Sequence, residues 1–374
     1  MQEQKNKEKG ITLIALVVTI IVLIILAGVS MNMLIGDNGI ITMAQQAKGV
    51  TQEADRKERM QLYQLEAQMQ EESTLKDILV EKGLLKENQL QELEEEGITT
   101  LEDNVLVVQN YNGLKALSQN SNNGNSYANV TIYLLNDIDG EASFNSETGE
   151  LLSGENFTPI GNSTNFNGTL DGLGYTIKNI YIKEESSSAD TGLIGIIGNK
   201  GKVENLTIAD SYIQGYAEVG AIAGQNRGSI INCENRSMVV SDYLEAAGIA
   251  GKCIHSGTIK NSANYGTVYN KGRQTGGIVA WARSVTIKNC YNIGTLTGTS
   301  LGGIIGSYAD NLSLSNCYWL ESCGADYGIF SAQSDENAES KSSDEMKLLV
   351  TTLGEEWKED EGSINKGYPI LQWQ

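Results

Sequence analysis

The sequence predicts a mainly β protein: a solenoid of about six stacked coils of about 27 residues, preceded by a long N-terminal transmembrane and stalk α-helix. Three observations lead to this fold class. Gly is abundant while Pro is rare, two sequence markers recur with one period, and one long segment near the N-terminus carries no charge. The first is typical of short strands and tight turns, the second of a repeated structural unit, and the third of a membrane span.

Composition limits the functions that the chain can have. It has 374 residues, with 41 Gly against 2 Pro, and a net charge of −20. No basic patch is present that could neutralise phosphates, so we expect no nucleic-acid partner. The five Cys form no C-x-x-C pair and His255 is the only histidine, so the spacing of a zinc site is missing. We therefore predict neither a metal nor a cofactor.

The segment from Ile11 to Gly36 contains no charged residue. As a helix it would be about 37 Å long at about 1.5 Å per residue, enough to cross a hydrocarbon core of about 30 Å with some tilt. Lys5, Lys7 and Lys9 precede it, and positive charge next to a span stays on the cytoplasmic side. The sequence thus predicts a single-pass membrane protein with a cytoplasmic N-terminus and an extracellular C-terminal domain.

This short Lys-bearing leader, followed by Gly10 and the apolar run Ile11-Thr-Leu-Ile14, resembles the class III signal of type IV prepilins. The resemblance implies cleavage between Gly10 and Ile11 by a prepilin peptidase, methylation of Ile11, and contact with other pilin subunits. Ala15 stands where polymerising pilins usually carry Glu, which puts assembly into a major filament in doubt. The alternative is an uncleaved signal anchor; an ordinary secretory signal has a shorter apolar region, of 7 to 15 residues.

Composition and charge divide the chain into segments. Ala47, Val50 and Ala54 follow helical spacing, which predicts a stalk that either continues a pilin-like helix or has no particular partner. The predicted segments are a leader (1–10), a transmembrane helix (11–36), a helical stalk or linker (37–103), an N-terminal cap with the first coils (104–190), the main repeats (191–330), and an acidic linker with a C-terminal capping segment (331–374).

Two markers repeat in phase through the second half of the chain. The first is an apolar core next to Gly, with steps of 28, 27, 29 and 26 residues between its isoleucines, which are Ile194, Ile222, Ile249, Ile278 and Ile304. The second is an Asn with steps of 26, 27, 29, 28 and 27 residues, at Asn179, Asn205, Asn232, Asn261, Asn289 and Asn316. A shared period near 27 predicts stacked coils, because one coil cannot bury its own apolar side.

Stacked coils place equivalent side chains directly above one another, about 4.8 Å apart. The recurrent Asn residues are therefore predicted to form a ladder at a bend, each amide bonding the next. The residues after them would point inward, namely Ile180, Leu206, Cys233, Ser262, Cys290 and Cys317. A second inward column would contain Val239, Val268 and Leu296.

The Gly-Gly-Ile units and the Asn-Cys pairs at Asn232, Asn289 and Asn316 resemble the GLUG motif of bacterial surface proteins and adhesins. The resemblance covers about residues 104–374 and implies a right-handed parallel β-helix. It also implies that Asn365-Lys-Gly-Tyr-Pro-Ile-Leu-Gln-Trp373 is a C-terminal capping strand. It is specific to the fold rather than to an activity.

Candidate chemistry is sparse. Cys290 and Cys317 could lie within disulfide range in stacked coils, but free buried thiols are favoured. The run Asn136-Asp-Ile-Asp-Gly140 lacks the third and last ligands of a calcium loop, so a turn is favoured. Asp210, Asp242 and Asp310 lie at different offsets from their repeat Asn, which argues against the paired carboxylates of a glycan-cleaving enzyme.

Aromatic residues expected on outward turns are Tyr265, Tyr269, Tyr291 and Trp281, which could form a sugar-stacking surface or have no ligand. The sequence accordingly predicts a non-enzymatic, pilin-like structural or adhesive protein of the cell surface, such as a minor pilin or tip adhesin. Its expected partners are the membrane, the prepilin peptidase, other pilin subunits, and surface glycans or host proteins. The alternative is a pseudopilin of a type II secretion or DNA-uptake machine; a glycan-acting β-helix enzyme is the third choice.

Overall fold

Parallel strands that pair with the equivalent strand one turn later dominate this protein. The computed structural model describes residues 40–70, 73–187, 190–333 and 337–374, with side chains described from residue 53 onward. The chain divides into two compact units, Met1–Met69 and Gln70–Gln374. The described element of the first unit is helix α1 (Ile40–Met69), and the second unit is the solenoid.

No helix in the described part of the chain combines the length and the apolar character that a membrane crossing requires. Helix α1 is long enough, but it carries charged side chains along its length, from Lys48 to Glu66. The predicted fold class with its transmembrane helix, and the predicted single-pass localisation, are therefore corrected. The segment on which both predictions rested, 11–36, lies outside the described residues.

The helices of the second unit are short and flank the strands. Thr74 and Ser342 close capping boxes at two of them, each hydroxyl accepting a backbone N–H in the first turn. The α-helices are α2 (Leu75–Glu81), α3 (Glu87–Glu96), α4 (Tyr111–Asn122), α5 (Ser343–Lys347) and α6 (Val350–Leu353), with 3-10 turns at Glu321–Cys323 and Phe330–Ala332.

The strands form two large sheets that wrap around the solenoid. The first sheet contains β1 (Ile98–Glu102), β2 (Val105–Val108), β3 (Thr131–Leu134), β4 (Ile138–Asp139), β7 (Thr169–Asp171), β8 (Thr176–Lys178), β9 (Tyr181–Lys183), β11 (Lys202–Gly215), β14 (Ser229–Ser241), β17 (Thr258–Lys260), β18 (Ala263–Asn264), β19 (Val268–Asn270), β22 (Val285–Asn292), β23 (Leu296–Gly298), β25 (Leu312–Leu320) and β27 (Ala338–Lys341).

The second sheet covers the remaining walls. It contains β10 (Ile194–Ile197), β12 (Glu218–Gly220), β13 (Ala223–Asn226), β15 (Glu245–Ala247), β16 (Ala250–Ile254), β20 (Gln274–Gly276), β21 (Val279–Arg283), β24 (Leu301–Tyr308) and β26 (Tyr327–Ile329). Two small antiparallel pairs lie outside these sheets, β5 (Ser143–Phe144) with β6 (Leu151–Ser153) and β28 (Trp357–Lys358) with β29 (Ile370–Leu371).

The order of strands along one wall gives the number of turns. From β2 the wall continues through β3, β7, β11, β14, β17, β22, β25 and β27, every pair parallel. The molecule is thus a right-handed β-solenoid of about eight turns. The predicted count of about six coils is too low, because the first turns lack the Gly-Ile marker by which coils were counted.

Inward side chains form straight columns in register. One column passes through Val203, Ile230, Ile259 and Ile287, all fully buried. The predicted column of Val239, Val268 and Leu296 is also present, and β9 and β11 extend it toward the N-terminus. Burying one such side chain contributes about 1.5–3 kcal/mol, so these columns join the turns into one continuous core.

The first turn is completed by a helix instead of strands. Helix α4 lies in the connection between β2 and β3, and its Leu114 and Leu117 are buried in the same core cluster as Val108. Strand β1 pairs antiparallel with β2 and occupies the outer edge of the sheet. This edge is covered rather than left open for another chain.

The C-terminal residues 343–374, here called the strap, lie along the side of the solenoid. Within them, residues 365–373 were predicted to be a C-terminal capping strand. Met346, Leu353 and Trp357 of the strap are buried against a column of outward side chains that includes Tyr291 and Tyr318. The last turn is completed instead by β26 and β27.

Candidate functional site

The outer Asn ladder, defined as Asn205, Asn232, Asn261, Asn289 and Asn316, occupies one column at a bend. The Nδ2 of each Asn from 232 to 316 donates to the Oδ1 of the preceding one at 3.0 Å. Asn205 donates to Asp171 Oδ1 at 2.9 Å, so a carboxylate ends the ladder. All five backbones are left-handed, with φ between 49° and 54°. Asn tolerates this conformation better than most residues, which is why it recurs at the bend.

Asn179, the sixth residue predicted for this ladder, lies elsewhere. Its Nδ2 donates to Asp139 Oδ1 at 2.9 Å, and the residue before it pairs with Ala209. Ile180 is shifted with it, and its backbone N–H donates to the Ser211 hydroxyl oxygen at 3.0 Å, so it is not in the column of Leu206. The other predicted site residues, Gly10 and Ile11, lie outside the described residues, and processing between them stays a prediction.

A second ladder was not predicted. Asn235 and Asn264 each donate from Nδ2 to the Oδ1 of the Asn one turn later, Asn264 and Asn292, at 2.8 Å. All three are fully buried, and each Oδ1 also accepts a backbone N–H two residues on. We call this the inner Asn ladder. Its signal was present in the sequence, since each residue follows an outer-ladder Asn by three positions.

The predicted inward column after the outer ladder contains Leu206, Cys233, Ser262, Cys290 and Cys317, all fully buried. The five cysteines of the chain are free thiols. Cys233, Cys290 and Cys317 lie within 3.2–3.4 Å of the backbone oxygen two residues earlier. Burial raises the pKa of Cys233 and of Cys290 well above the ordinary value of a thiol, so these thiols are protonated and unreactive at neutral pH. The column is structural.

The strap is anchored to the solenoid by a buried polar network. Glu234, which has no exposed surface, accepts from Arg236 at 3.1 Å, from the Tyr265 hydroxyl at 3.0 Å and from Gln374 Nε2 at 3.0 Å. The Arg236 guanidinium also lies 4.1 Å from the Tyr265 ring centroid. Tyr291 donates to the backbone oxygen of Pro369. These two tyrosines therefore hold the strap, and the predicted sugar-stacking surface does not include them.

A sharp inner corner forms where the Gly-Ile units pass from one wall of the second sheet to the next; we call it the glycine corner. An added Cβ at Gly224 would lie 2.3 Å from the Thr191 backbone N, and one at Gly251 would lie 2.4 Å from that of Val219. Only Gly permits this approach. The recurrent Gly residues are thus required by the bend, which brings outward side chains of two walls face to face.

Two columns face each other across the glycine corner. The first is the carboxylate column, Asp190, Glu218 and Glu245, with Gln274 following one turn later. The second consists of Gln225, Lys252 and Trp281. The carboxylate column repeats with the steps of 28, 27 and 29 residues found for the isoleucines, so the sequence contained this signal. The prediction that no carboxylates share a face considered other residues and is wrong.

Contacts across the corner divide the carboxylates into two kinds. Glu218 Oε1 lies 2.7 Å from Lys252 Nζ, which also lies 5.2 Å from the Trp281 ring centroid. Asp190 Oδ2 accepts from Gln225 Nε2 at 3.2 Å. Burial, followed by the charge of Glu218, raises the pKa of Asp190 and of Glu245 to about 7. Asp190 and Glu245 therefore exchange protons near neutral pH, and they lie on either side of Glu218, which is ion-paired with Lys252. This arrangement is capable of acid–base chemistry.

The Asp137 and Asp139 segment forms a turn, as favoured from the sequence. Asp137 Oδ1 accepts from the Thr176 backbone N–H at 2.8 Å, and Asp139 Oδ1 accepts from the Glu141 backbone N–H at 2.9 Å. Among the residues from 40 onward that are described, no group of three or more His, Cys, Asp or Glu side chains is arranged to hold a metal ion. The carboxylates of this turn fix the backbone.

The geometry defines the class: a β-solenoid held together by stacked columns. A solved structure of the same fold is the 1.30 Å crystal structure of a Bacteroides ovatus protein provisionally described as an immunoglobulin A1 protease. The two chains are 20% identical, with a TM-score of 0.50, and the likeness covers 72% of this chain and 92% of the other. At this identity the likeness establishes the fold alone.

Two sequence relatives match parts of the chain, and no family model matches it. Halomucin from Haloquadratum walsbyi is 36% identical over 132 residues, which is 35% of this chain and 1% of that protein. A protein of Evansella cellulosilytica, provisionally described as a Gly-rich membrane protein, is 39% identical over 83 residues, 21% of this chain and 10% of its own length. The chain thus spans a tenth or less of either relative.

Proposed function

We propose that this protein is a structural and adhesive module of the cell surface, in which the solenoid is a rigid scaffold that displays its side walls to surface glycans or host proteins. The observation that carries this proposal is the pair of Asn ladders. Together they link polar groups along five successive turns by amide–amide hydrogen bonds. A stack in which each turn is bonded to the next resists bending and local opening.

Two further observations support a surface role. The net charge of −20 favours solubility and keeps non-specific adhesion to other anionic surfaces weak. The similarity to a protein named halomucin covers 35% of the chain, and that name denotes a mucin-type protein. The prepilin-type processing at Gly10 and Ile11, the GLUG resemblance and the pseudopilin alternative stay predictions, and the proposed scaffold function depends on none of them.

Surface labelling of the native cells tests the proposal. Antibodies against the solenoid should label intact cells as strongly as permeabilised ones, and external protease should remove the label. A cytosolic enzyme probed in parallel controls for lysis. Labelling that requires permeabilisation would contradict the surface role. A deletion strain that adheres to glycan-coated and host-protein-coated surfaces as well as its parent would contradict the adhesive role.

A second candidate function, hydrolysis of a glycosidic bond, is favoured by the glycine corner alone. Asp190, whose pKa is about 7, would give its proton to the leaving oxygen. Glu218, which lies 2.7 Å from Lys252, would be the second carboxylate that such a reaction requires. Release of reducing ends from a glycan panel, abolished in Asp190→Asn and in Glu218→Gln but retained in the exposed Asp310→Asn variant, would establish this activity. Equal release by all variants would exclude this corner.

A further inference from the structure

A cleft of about 700 Å³ opens near the N-terminal end of the solenoid. Its walls come from three places: the first turn of α4 with Tyr111 and Lys115, the turn from Asp137 to Glu141, and the segment with Gly154 and Glu155. We call it the Tyr111 cleft. It shares no residue with the glycine corner or with the strap.

One wall of the cleft combines an aromatic ring with an ammonium group. Lys115 Nζ lies 5.0 Å from the Tyr111 ring centroid and 2.7 Å from Glu155 Oε1. The Tyr111 hydroxyl is buried and has no hydrogen-bond partner among the described residues. Burial, followed by the charge of Glu155, raises the pKa of Tyr111 to about 12, so this hydroxyl keeps its proton at neutral pH. The cleft therefore already accommodates an ammonium between a ring and a carboxylate.

The wall formed by the turn from Asp137 to Glu141 is acidic, and not all of its carboxylates have a partner among the described residues. The Glu141 carboxylate has no hydrogen bond or ion pair among the described residues, whereas Asp139 accepts from Asn179 and lies 3.6 Å from Lys178. The Asn179 hydrogen bond lowers the pKa of Asp139, which is ionised at neutral pH. The helix N-terminus is not free for an anion, because the Asn110 side chain accepts its first N–H groups. Four carboxylates against Lys115 and Lys178 leave a net negative cleft.

The geometry points to a binding site for an amino sugar, with its ammonium paired with the Glu141 carboxylate, its sugar ring beside Tyr111, and its hydroxyl groups bonded by the remaining carboxylates and by Asn112. Glycans with free amino groups fit this lining, because the lining is rich in hydrogen-bonding groups and contains one aromatic face. An extended basic peptide would need backbone partners or apolar pockets, which these residues do not offer. The inference rests on the proposed adhesive function and names its ligand.

Calorimetry on the full chain at pH 6 and low salt tests the site. The probes are a tetramer of β-1,4-linked glucosamine, its fully N-acetylated counterpart and tetralysine. We expect the free-amine tetramer to bind at least tenfold more tightly than the acetylated one, as for the loss of one charge-assisted hydrogen bond. Its affinity should fall severalfold with added salt. Equal affinity for both tetramers, no binding, or tighter binding of tetralysine would overturn the inference.

Substitutions of residues that line the Tyr111 cleft test whether the free-amine tetramer binds there. Glu141→Gln should weaken the free-amine tetramer about tenfold and leave the acetylated tetramer unaffected, and Tyr111→Leu should weaken it severalfold. The matched control is Glu147→Gln, which removes the same charge from an exposed hairpin outside the cleft. Circular dichroism establishes that each variant is folded. Equal effects of Glu141→Gln and Glu147→Gln would overturn the site even if surface labelling supports the scaffold function, so the two proposals fail separately.

Discussion

The outer and inner Asn ladders use one residue type and one hydrogen bond for two different purposes. The outer ladder contains residues at left-handed φ whose amides donate to the preceding turn, and most of its members are only half-buried. The inner ladder lies at ordinary φ, is fully buried, and donates to the following turn. The two ladders lie three residues apart along each turn.

The difference indicates what each ladder contributes. At the outer ladder Asn relieves backbone strain at the bend, since a left-handed conformation is unfavourable for other L-residues. At the inner ladder Asn satisfies buried backbone groups: Asn264, for example, bonds both the N–H and the C=O of Gly266. Loss of a buried partner leaves groups unsatisfied, so the two ladders should respond differently to the same substitution.

The inner ladder should be the more sensitive. We expect Asn264→Ala to lower the free energy of unfolding by about 3–4 kcal/mol, because it removes two ladder bonds and leaves buried polar groups of Gly266 without partners. Chemical denaturation monitored by circular dichroism measures this. Asn264→Asp keeps the shape but places a fully buried carboxyl group against the acceptor oxygens of Gly266 and Asn292, and should cost at least as much as the Ala variant at neutral pH. A loss below about 1 kcal/mol for the Ala variant would contradict the role given to the inner ladder.

The strap covers part of the outer ladder, and we expect that it can open separately from the solenoid. Glu356 of the strap accepts from Asn232 at 3.5 Å, and Glu234 holds the strap two residues further on. Glu234→Gln leaves Arg236 without its carboxylate, and breaking a buried pair costs about 3 kcal/mol. Limited proteolysis should then remove residues of the strap before the solenoid is cut. Cleavage of strap and solenoid at the same rate would indicate that the strap does not open separately.

At the outer ladder the backbone and side-chain contributions can be separated. Asn261→Ala should cost about 2 kcal/mol, of which about 1 comes from a left-handed Ala and about 1 from the loss of two half-exposed ladder hydrogen bonds, to Asn232 and from Asn289. Asn261→Gly removes the same two hydrogen bonds without the backbone penalty and should recover about half of the loss. Equal losses for both variants, measured by denaturation, would show that φ is not what selects Asn at this bend.

The sequence was sufficient to predict the period, the outer ladder from Asn205 onward and the buried cysteines, because stacking repeats those environments at one spacing. Asn179 was misplaced because the carboxylate of Asp171 takes its position, a substitution that spacing alone does not reveal. The packing of the strap along the side of the solenoid could not be predicted, because it depends on contacts between residues more than 100 positions apart, such as Glu234 with Gln374. The carboxylate column was overlooked because its members change from Asp to Glu and then to Gln along the stack, so that no single residue type repeats at the period.

The carboxylate column differs from the Asn ladders in the sign of the interaction between its members, since stacked amides attract one another and stacked carboxylates repel one another. The pKa of Asp190 is about 7 when folded, above the ordinary 3.8, so the folded state binds the proton more tightly than the unfolded one. Stability should therefore fall as the pH rises from about 4 to about 7 and level off above. Asp190→Asn should reduce this fall, leaving the part that Glu245 contributes, and should stabilise the protein by about 2 kcal/mol at pH 8 with no gain at pH 4. This is about half of what a rise in pKa of about three would give at about 1.4 kcal/mol per pKa unit, because solvent reaches part of the side chain.

Melting temperatures of the two proteins between pH 4 and pH 8 measure this effect. The control is Asp310→Asn, in which an exposed carboxylate 3.8 Å from Arg283 is replaced by the same neutral side chain. It should change stability by less than 1 kcal/mol at every pH. If Asp190→Asn stabilises equally at pH 4 and pH 8, the gain comes from the amide's hydrogen bonds and not from relieved repulsion. The contrast between amide and carboxylate columns would then have no electrostatic basis.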